Sequence, residues 1–426
     1  IIDRYRDITA ERKTHGLTEM PEVATGLRPQ QWIGKDLPPG QPFWRRLWQR
    51  KRRHATISFL VLPDRIVIVR QSRFKLDFSV SPATRIELRE LVRQWHEIIA
   101  QITGARARGL GQRPEEAPLH EKESGAALSD LTENARRIAE RLSSLLQLPS
   151  VLDNLSRSTR SLTLVPDDSL HGFPFAAIIH RGSYLIERYA LSFAYQSNEQ
   201  APVSIDSGNP SALLVGASRG GGHWAKLEFV PQELDNIEDW ATRRRLWAQR
   251  LDDARPICDA PDKATVLAAL PKCTLAHIAC HGLFTPDQPA HSGIVLRPAQ
   301  QPDVLTVQEL SALDLTNLRH VTLSACWSAD HFILPGRWVI SLPETLARAG
   351  AASVLGCLWL VDDRIGTAFM AQFYQHLNKH TRAEALRRTQ LACLKGQLSG
   401  ADSHDTAHPI FWAGYQLYGS GDRLKL

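Results

Sequence analysis

A chain of 426 residues, 43% of them hydrophobic and 23% charged, has room for two to three domain-sized units or one large elaborated one, and its balance is that of an ordinary globular protein. No apolar run approaches the roughly 18 to 20 residues needed to cross a bilayer, and the start, Ile1 to Arg6, lacks the apolar stretch of a secretory signal. A membrane protein and a secreted disulfide scaffold are thereby set aside, and a cytoplasmic protein is expected. The first residue is not methionine, as in a fragment, a domain or a processed product. The net charge of +6 keeps nucleic acid in view as a partner.

In chain order, residues 1–50 read as an arm or the remnant of an upstream region, ending near the breaker Leu37-Pro38-Pro39-Gly40. The basic run Arg45, Arg46, Arg50, Lys51, Arg52 and Arg53, with Trp44 and Trp48 interleaved, is of the kind that grips phosphates and stacks bases. More often such a run is a solvated helix face or an exposed linker. Two strands, 56–62 and 65–70, form a hairpin about Pro63-Asp64. A helix over 84–102 carries the apolar face Ile86, Leu88, Leu91, Val92, Trp95 and Ile98. A Gly/Pro-rich loop follows over 104–126, then a helix over 129–148 with Ser129 as its cap. A strand over 161–165 ends in a turn at Pro166-Asp167-Asp168.

From about 212 the pattern alternates. Strands are expected at 212–217, 274–280, 320–326 and 353–360, and helices at 231–247, 264–270, 306–312, 342–350, 364–379 and 382–397. Alternation of this kind predicts a mainly parallel sheet covered on both faces. The expected architecture is therefore α/β, an α/β/α sandwich, with an N-terminal hairpin-and-helix portion. The expected divisions are 1–50, 51–200 and 201–426.

Two of these strands end on reactive side chains: the run from Thr274 to Cys280 leads to His281-Gly282, and the run from His320 ends on Cys326. In open α/β sheets, chemistry gathers beyond the carboxyl ends of the strands. A histidine can take a thiol proton and later protonate a leaving amine, so His281 and Cys326 form a candidate base–nucleophile pair. The N–H groups of Gly282 and Cys326 are candidates for an oxyanion hole. The bland reading is a small core cysteine and a satisfied histidine. His277, four residues before His281, lies about 13 Å from it along a strand, too far to share a metal ion, and reads as structural. Cys280 faces away from His281 and reads as core. The six cysteines (Cys258, Cys273, Cys280, Cys326, Cys357 and Cys393) show no CxxC pairs, in keeping with a reducing compartment.

Six segments together resemble one family. They are Val165-Pro166-Asp167-Asp168 through Phe173-Pro174-Phe175-Ala176-Ala177, His277 to Gly282, Leu323-Ser324-Ala325-Cys326, Ser341-Leu342-Pro343-Glu344 through Ala351, Leu358-Trp359-Leu360-Val361-Asp362-Asp363, and His408-Pro409-Ile410-Phe411-Trp412-Ala413. In this order they are similar to the boxes of CHAT domains, caspase-like cysteine peptidases of the clan that includes caspases, separases and gingipains. Departures are Trp327, where small or polar residues are common, and Gly172 in the bend. The resemblance implies His281 as base, Cys326 as nucleophile, and a regulated bacterial effector, in defence for instance, with an upstream sensor or activating partner; the residues themselves imply no metal or organic cofactor.

By analogy with separases it also implies an S1 pocket with Asp363, and Asp362 beside it, selecting a basic P1 residue. Asp363 is alternatively the cap of the following helix. If P1 is basic, 45–53 and Arg106 to Arg108 are candidate self-cleavage sites. The expected substrate is a protein bound as an extended segment, and nucleic acid is not expected as a direct ligand. Alternatives are a catalytically silent interaction module and a nucleic-acid binder using 44–53.

Overall fold

The computed structural model describes residues 53–426 except 73–74, 104–124, 196–209, 222–223, 256–257, 284, 286–287, 298–301, 326–327, 329–330, 335–337, 360 and 401–405. The expected arm, the basic run before Arg53, most of the loop over 104–126, Cys326 and Trp327 lie outside the described residues. The N-terminal half comprises β1 (His54–Val61), β2 (Ile66–Ser72), β3 (Leu76–Ser81), α1 (Arg85–Thr103), α2 (Gly125–Leu145) and α3 (Leu148–Asp153). It continues through β4 (Ser161–Val165), β5 (Ile179–His180), β6 (Ser183–Tyr184), α4 (Leu185–Arg188) and β7 (Ala190–Phe193).

The C-terminal half opens with β8 (Ser211–Gly216), α5 (Val230–Arg243), β9 (Trp247–Asp252), α6 (Lys263–Ala269) and β10 (Leu275–Ala279). Next come β11 (His281–Leu283), β12 (Gly293–Arg297), β13 (Asp303–Thr306), α7 (Val307–Ser311) and β14 (His320–Ser324). It closes with β15 (His331–Leu334), β16 (Trp338–Ser341), α8 (Leu342–Arg348), β17 (Ser353–Cys357), α9 (Asp363–Leu377), α10 (Arg382–Leu394) and β18 (Tyr415–Gly419).

One 11-stranded sheet runs β3-β2-β1-β4-β7-β18-β17-β14-β10-β8-β9. Strands β9, β8, β10, β14 and β17 are mutually parallel, and β18 joins antiparallel to β17. The hairpin of β1 and β2 is extended by β3, while β1, β4 and β7 pair in parallel. The expected α/β/α sandwich with its N-terminal hairpin is therefore present. Its two faces follow from strand periodicity. Ala212, Leu214, Leu275, Ala279 and Leu355 pack beneath α5 and α9. Leu213, Val215, Ala276, Ile278, Val321 and Val354 pack against α6, α7 and α8.

Some boundaries differ from the sequence reading. The expected helix to 247 ends at Arg243: Arg245 takes a left-handed φ of 59°, and Trp247 begins the edge strand β9. Helix α2 begins at Gly125, so Ser129 lies within it rather than capping it. The segments that carry the family resemblance are largely structural. Asp167 accepts the Val61 N–H at 2.8 Å, tying the end of β1 to the turn after β4. Arg89 grips Asp168 with two hydrogen bonds of 2.7 and 2.8 Å. Trp359 Nε1 donates to the Ile410 carbonyl at 2.7 Å, which joins the segment after β17 to the one before β18.

Candidate active site

Strand β10 carries the candidate histidine to the carboxyl edge of the sheet. All five of its residues are buried, as expected of a strand covered on both faces. Cys280 keeps the last link to β14, donating its N–H to the Ser324 carbonyl at 3.2 Å. At His281 the chain then leaves the main sheet and starts β11, the edge strand of a three-stranded antiparallel sheet, with His281 opposite Val295 and Gly282 opposite Ile294. Ala279 is in register with Ser324. Counted along the two strands, His281 and Cys326 each stand two residues beyond that matched pair. Cys326 itself is not among the described residues. Past it, the Ser328 hydroxyl donates to the Leu323 carbonyl at 3.2 Å and accepts the Cys357 N–H at 3.0 Å, anchoring the loop to the ends of β14 and β17.

The His281 ring is buried at 2% exposure. Its Nε2 lies 2.8 Å from the Ala225 carbonyl oxygen, and the Trp224 ring packs against it with centroids 5.2 Å apart. A carbonyl only accepts, so Nε2 holds the proton in the neutral ring and Nδ1 is the basic nitrogen.

The segment supplying Trp224 and Ala225 is the loop between β8 and α5, and it is fastened at both ends. At its start, Ser218 donates its N–H and hydroxyl to Asp253 at 2.9 and 2.8 Å, and its carbonyl accepts the Leu227 N–H at 2.9 Å. Within it, Gly221 and Trp224 form an isolated bridge. Gly220 permits that close turn: a Cβ there would stand 2.7 Å from the Trp224 carbonyl oxygen. At its end, the Phe229 N–H donates to Asp363 at 2.8 Å and its carbonyl accepts from Thr367 at 3.3 Å.

The two candidate S1 carboxylates have distinct places. Asp362 is the N-cap of α9, accepting the Ile365 N–H at 3.1 Å. Asp363 is the first helical residue and reaches across to the loop. Burial raises the Asp363 carboxyl to about 6, assisted by the negative charges of Glu233 and Asp362 and opposed by the Phe229 N–H and by His281. The cap expected of Asp363 falls to Asp362, one residue earlier.

His277 points to the opposite side from Ala276 and Ile278 and is fully buried. It joins Glu233 at 2.8 Å and Tyr374 at 3.2 Å, while Thr367 donates to the second Glu233 oxygen at 3.1 Å. From Tyr374 the hydrogen bonds continue through Thr322, His320 and Ser353 to Arg382. Burial pushes the Tyr374 phenol up and His320 well down, and draws Arg382 to about 10. This is a satisfied buried polar line between sheet and α9, a structural role for His277 as expected. Cys280 lies in the core, again as expected.

Trp224, Ala225 and Glu233 were not singled out in the sequence. Gly220-Gly221-Gly222 just after a strand was the available signal, because a glycine run there permits a tight loop over the sheet edge.

No curated protein matches the chain. Among solved structures, separase in the Saccharomyces cerevisiae separase–securin complex is similar with a TM-score of 0.57 at 10% identity, over 88% of this chain and 30% of that one. The chain thus corresponds to under a third of that separase. An Arg-specific cysteine proteinase, gingipain R, aligns at 10% identity over 79% of this chain and 76% of its own, with a TM-score of 0.45. The complex of Porphyromonas gingivalis RgpB pro- and mature domains aligns at 10% identity over 79% and 77%, with a TM-score of 0.44. The separase likeness shows a common fold. The family model described as the CHAT domain matches residues 136–420, more than half of the sequence, and this chain belongs to the CHAT domain family.

Proposed function

We propose that this chain is a cysteine endopeptidase in which Cys326 is the nucleophile and His281 the base. The observation that carries the reading is His281 itself. It is a buried imidazole at a strand end, with Nε2 held by the Ala225 carbonyl at 2.8 Å, on the strand next to the one that leads to Cys326. In the proposed reaction, Nδ1 of His281 accepts the thiol proton and the thiolate attacks the scissile carbonyl. The N–H groups of Gly282 and Cys326 receive the oxyanion. The tetrahedral adduct collapses as His281 returns its proton to the leaving amine. Water, deprotonated by the same nitrogen, then hydrolyses the thioester and restores the thiol.

The substrate is a protein segment bound extended, alongside β11, the outer strand of its sheet, which starts at His281 and Gly282. Asp363, half-buried and joined to the loop over His281 through the Phe229 N–H, serves as the S1 acid for Arg or Lys at P1, with Asp362 capping the helix start beside it. A guanidinium there forms charge-assisted hydrogen bonds and returns the carboxyl to its ionised form.

A fluorogenic peptide library varied at P1 tests both parts. Cleavage after Arg or Lys that disappears in Cys326→Ala and in His281→Ala is expected. Cleavage after other residues would remove the S1 assignment and leave the dyad. Turnover that survives in Cys326→Ala would overturn the mechanism.

A further inference from the structure

A second site lies away from His281, at the opposite end of the central strands. A cavity of about 950 Å³ opens where the starts of β4 and β7 meet the turn between α9 and α10. Arg382, beside the lining residue Thr381, reaches the Arg319 carbonyl at 2.6 Å and Ser353 at 2.8 Å. The cavity therefore adjoins the edge where β14 and β17 begin, whereas His281 stands beyond the end of β10. Its walls carry Arg53, Arg157, Arg160, Arg188, Lys379 and Arg387 against only two carboxylates, Glu187 and Glu384.

These cations come from separate segments and converge on one volume. Arg53 precedes β1, Arg157 and Arg160 precede β4, Arg188 precedes β7, Lys379 follows α9 and Arg387 lies on α10. The backbone fixes their spacing: the Arg53 carbonyl accepts the Arg160 and Ser161 N–H groups at 2.8 and 3.1 Å. The Arg160 guanidinium is held by the Arg157 and Thr159 carbonyls at 2.8 and 2.9 Å. That of Arg188 lies over the Tyr189 ring, 5.1 Å from its centroid.

Both carboxylates are already engaged. Glu384 holds Arg387 at 3.3 Å and Arg388 at 2.8 Å, and Glu187 accepts the Tyr184 N–H at 2.7 Å. Arg387 is spent as well, on Glu384 and on the Ile186 and Glu187 carbonyls. The other cations, Arg53, Arg157, Arg160, Arg188 and Lys379, form no ion pair among the described residues. Six cations against two carboxylates leave four positive charges in excess, and such a concavity draws anions.

The lining also selects the kind of anion. Its one apolar side chain is Ala190, and it holds no Phe, Tyr or Trp, so a base or an acyl chain has nothing to pack against. Four of the five cations without an ion pair are arginines, whose planar fork meets phosphate oxygens two at a time. Their convergence on one cavity, rather than a row along a surface, suits a compact anion over an extended strand. A terminal phosphate carries about 1.5 to 2 negative charges at neutral pH, so roughly three linked phosphates balance the excess. We propose that this cleft binds a compact oligophosphate, either free or as the phosphate tail of a larger molecule. The site stands independently of the peptidase reading.

The test is isothermal titration calorimetry of the whole chain with inorganic triphosphate in magnesium-free buffer. One site per chain is expected, at least ~10-fold tighter than for orthophosphate and weakening between ~50 and ~250 mM salt. Arg157→Ala with Lys379→Ala removes one cation from each of two segments. Neither side chain bonds another described residue, so the melting temperature should hold while the affinity falls at least ~10-fold. A double variant that binds triphosphate like the parent overturns the proposal, and so does a parent that gives no binding. ATP separates the two sources. Affinity within a few-fold of triphosphate means that a phosphate tail enters, exclusion of ATP means a free oligophosphate, and both agree with the proposal. ATP binding at least ~10-fold more tightly than triphosphate would mean that base and sugar are recognised, which overturns it. Equal or tighter binding of citrate, an aspartate-rich peptide or oligo(dT) would assign the cleft to a carboxylate, an acidic protein or a nucleic-acid strand, and each result overturns it too.

Discussion

Replacing Asp363 by Asn tests the electrostatics of the candidate site without emptying it, because the amide oxygen can still accept the Phe229 N–H. In the folded chain the Asp363 carboxyl is raised to about 6 from its ordinary 3.8. A folded-state value above the unfolded one means the folded chain holds that proton more tightly. The associated stability is fully present below about pH 4 and is lost as pH rises through 6. The difference between 3.8 and about 6 corresponds to about 3 kcal/mol in full. Because Asp363 is only half-buried, solvent screening reduces this to on the order of 1–2 kcal/mol. Asn carries no charge and escapes the loss. In urea unfolding, Asp363→Asn should therefore match the parent near pH 4 and exceed it by on the order of 1–2 kcal/mol near pH 7.5. Its cleavage after Arg or Lys should fall sharply at the same time. A stability difference that stays flat from pH 4 to 7.5, or a variant weaker than the parent at pH 7.5, would refute the reasoning.

Three other changes probe the supports of the site. Glu233→Ala strips buried His277 of its 2.8 Å partner and should cost about 3 kcal/mol or more in urea unfolding. Glu233→Gln, which keeps an acceptor, should cost clearly less, and equal losses would count against the pairing. Trp224→Ala removes the ring packed on His281 and should lower kcat at least ~10-fold at constant melting temperature, since a misplaced base slows chemistry more than it weakens binding. An effect on KM alone would assign Trp224 to substrate binding instead. Gly220→Ala forces a Cβ against the Trp224 and Lys226 backbone and should lower activity in the same manner with little change in stability, as read by paired kinetic and melting measurements.

The alternation of strands and helices after residue 212 was legible because parallel strands buried on both faces are continuous apolar runs, as in Leu275 to Ala279 and His320 to Ser324. The first hairpin showed its own signal at Pro63-Asp64. Short or polar strands did not announce themselves. Strand β3, Leu-Asp-Phe-Ser-Val-Ser, has a weak pattern and exposes Phe78 and Val80. β9 follows a helix with only a left-handed turn between them, and β18 is recognised as a strand through its antiparallel pairing with β17. At the site, the residues that end strands were visible, whereas the helix cap falls to Asp362 rather than Asp363, which only the helix start could settle.

The sequence by itself determined which elements are buried, and hence the layered α/β sheet, because burial of apolar runs is a property of local composition and period. It also supplied the family, through boxes whose order along the chain is itself information, and it named His281 and Cys326 as the candidate pair. Only the tertiary structure decided what surrounds His281. The Ala225 carbonyl that sets its tautomer is 56 residues away in the chain, and the Phe229 N–H on Asp363 is 134 away. The cationic cleft likewise gathers Arg53, Arg157, Arg188 and Lys379 from distant segments. A backbone carbonyl or N–H carries no residue-specific signature, and separate charges acquire a collective field only when folding brings them together.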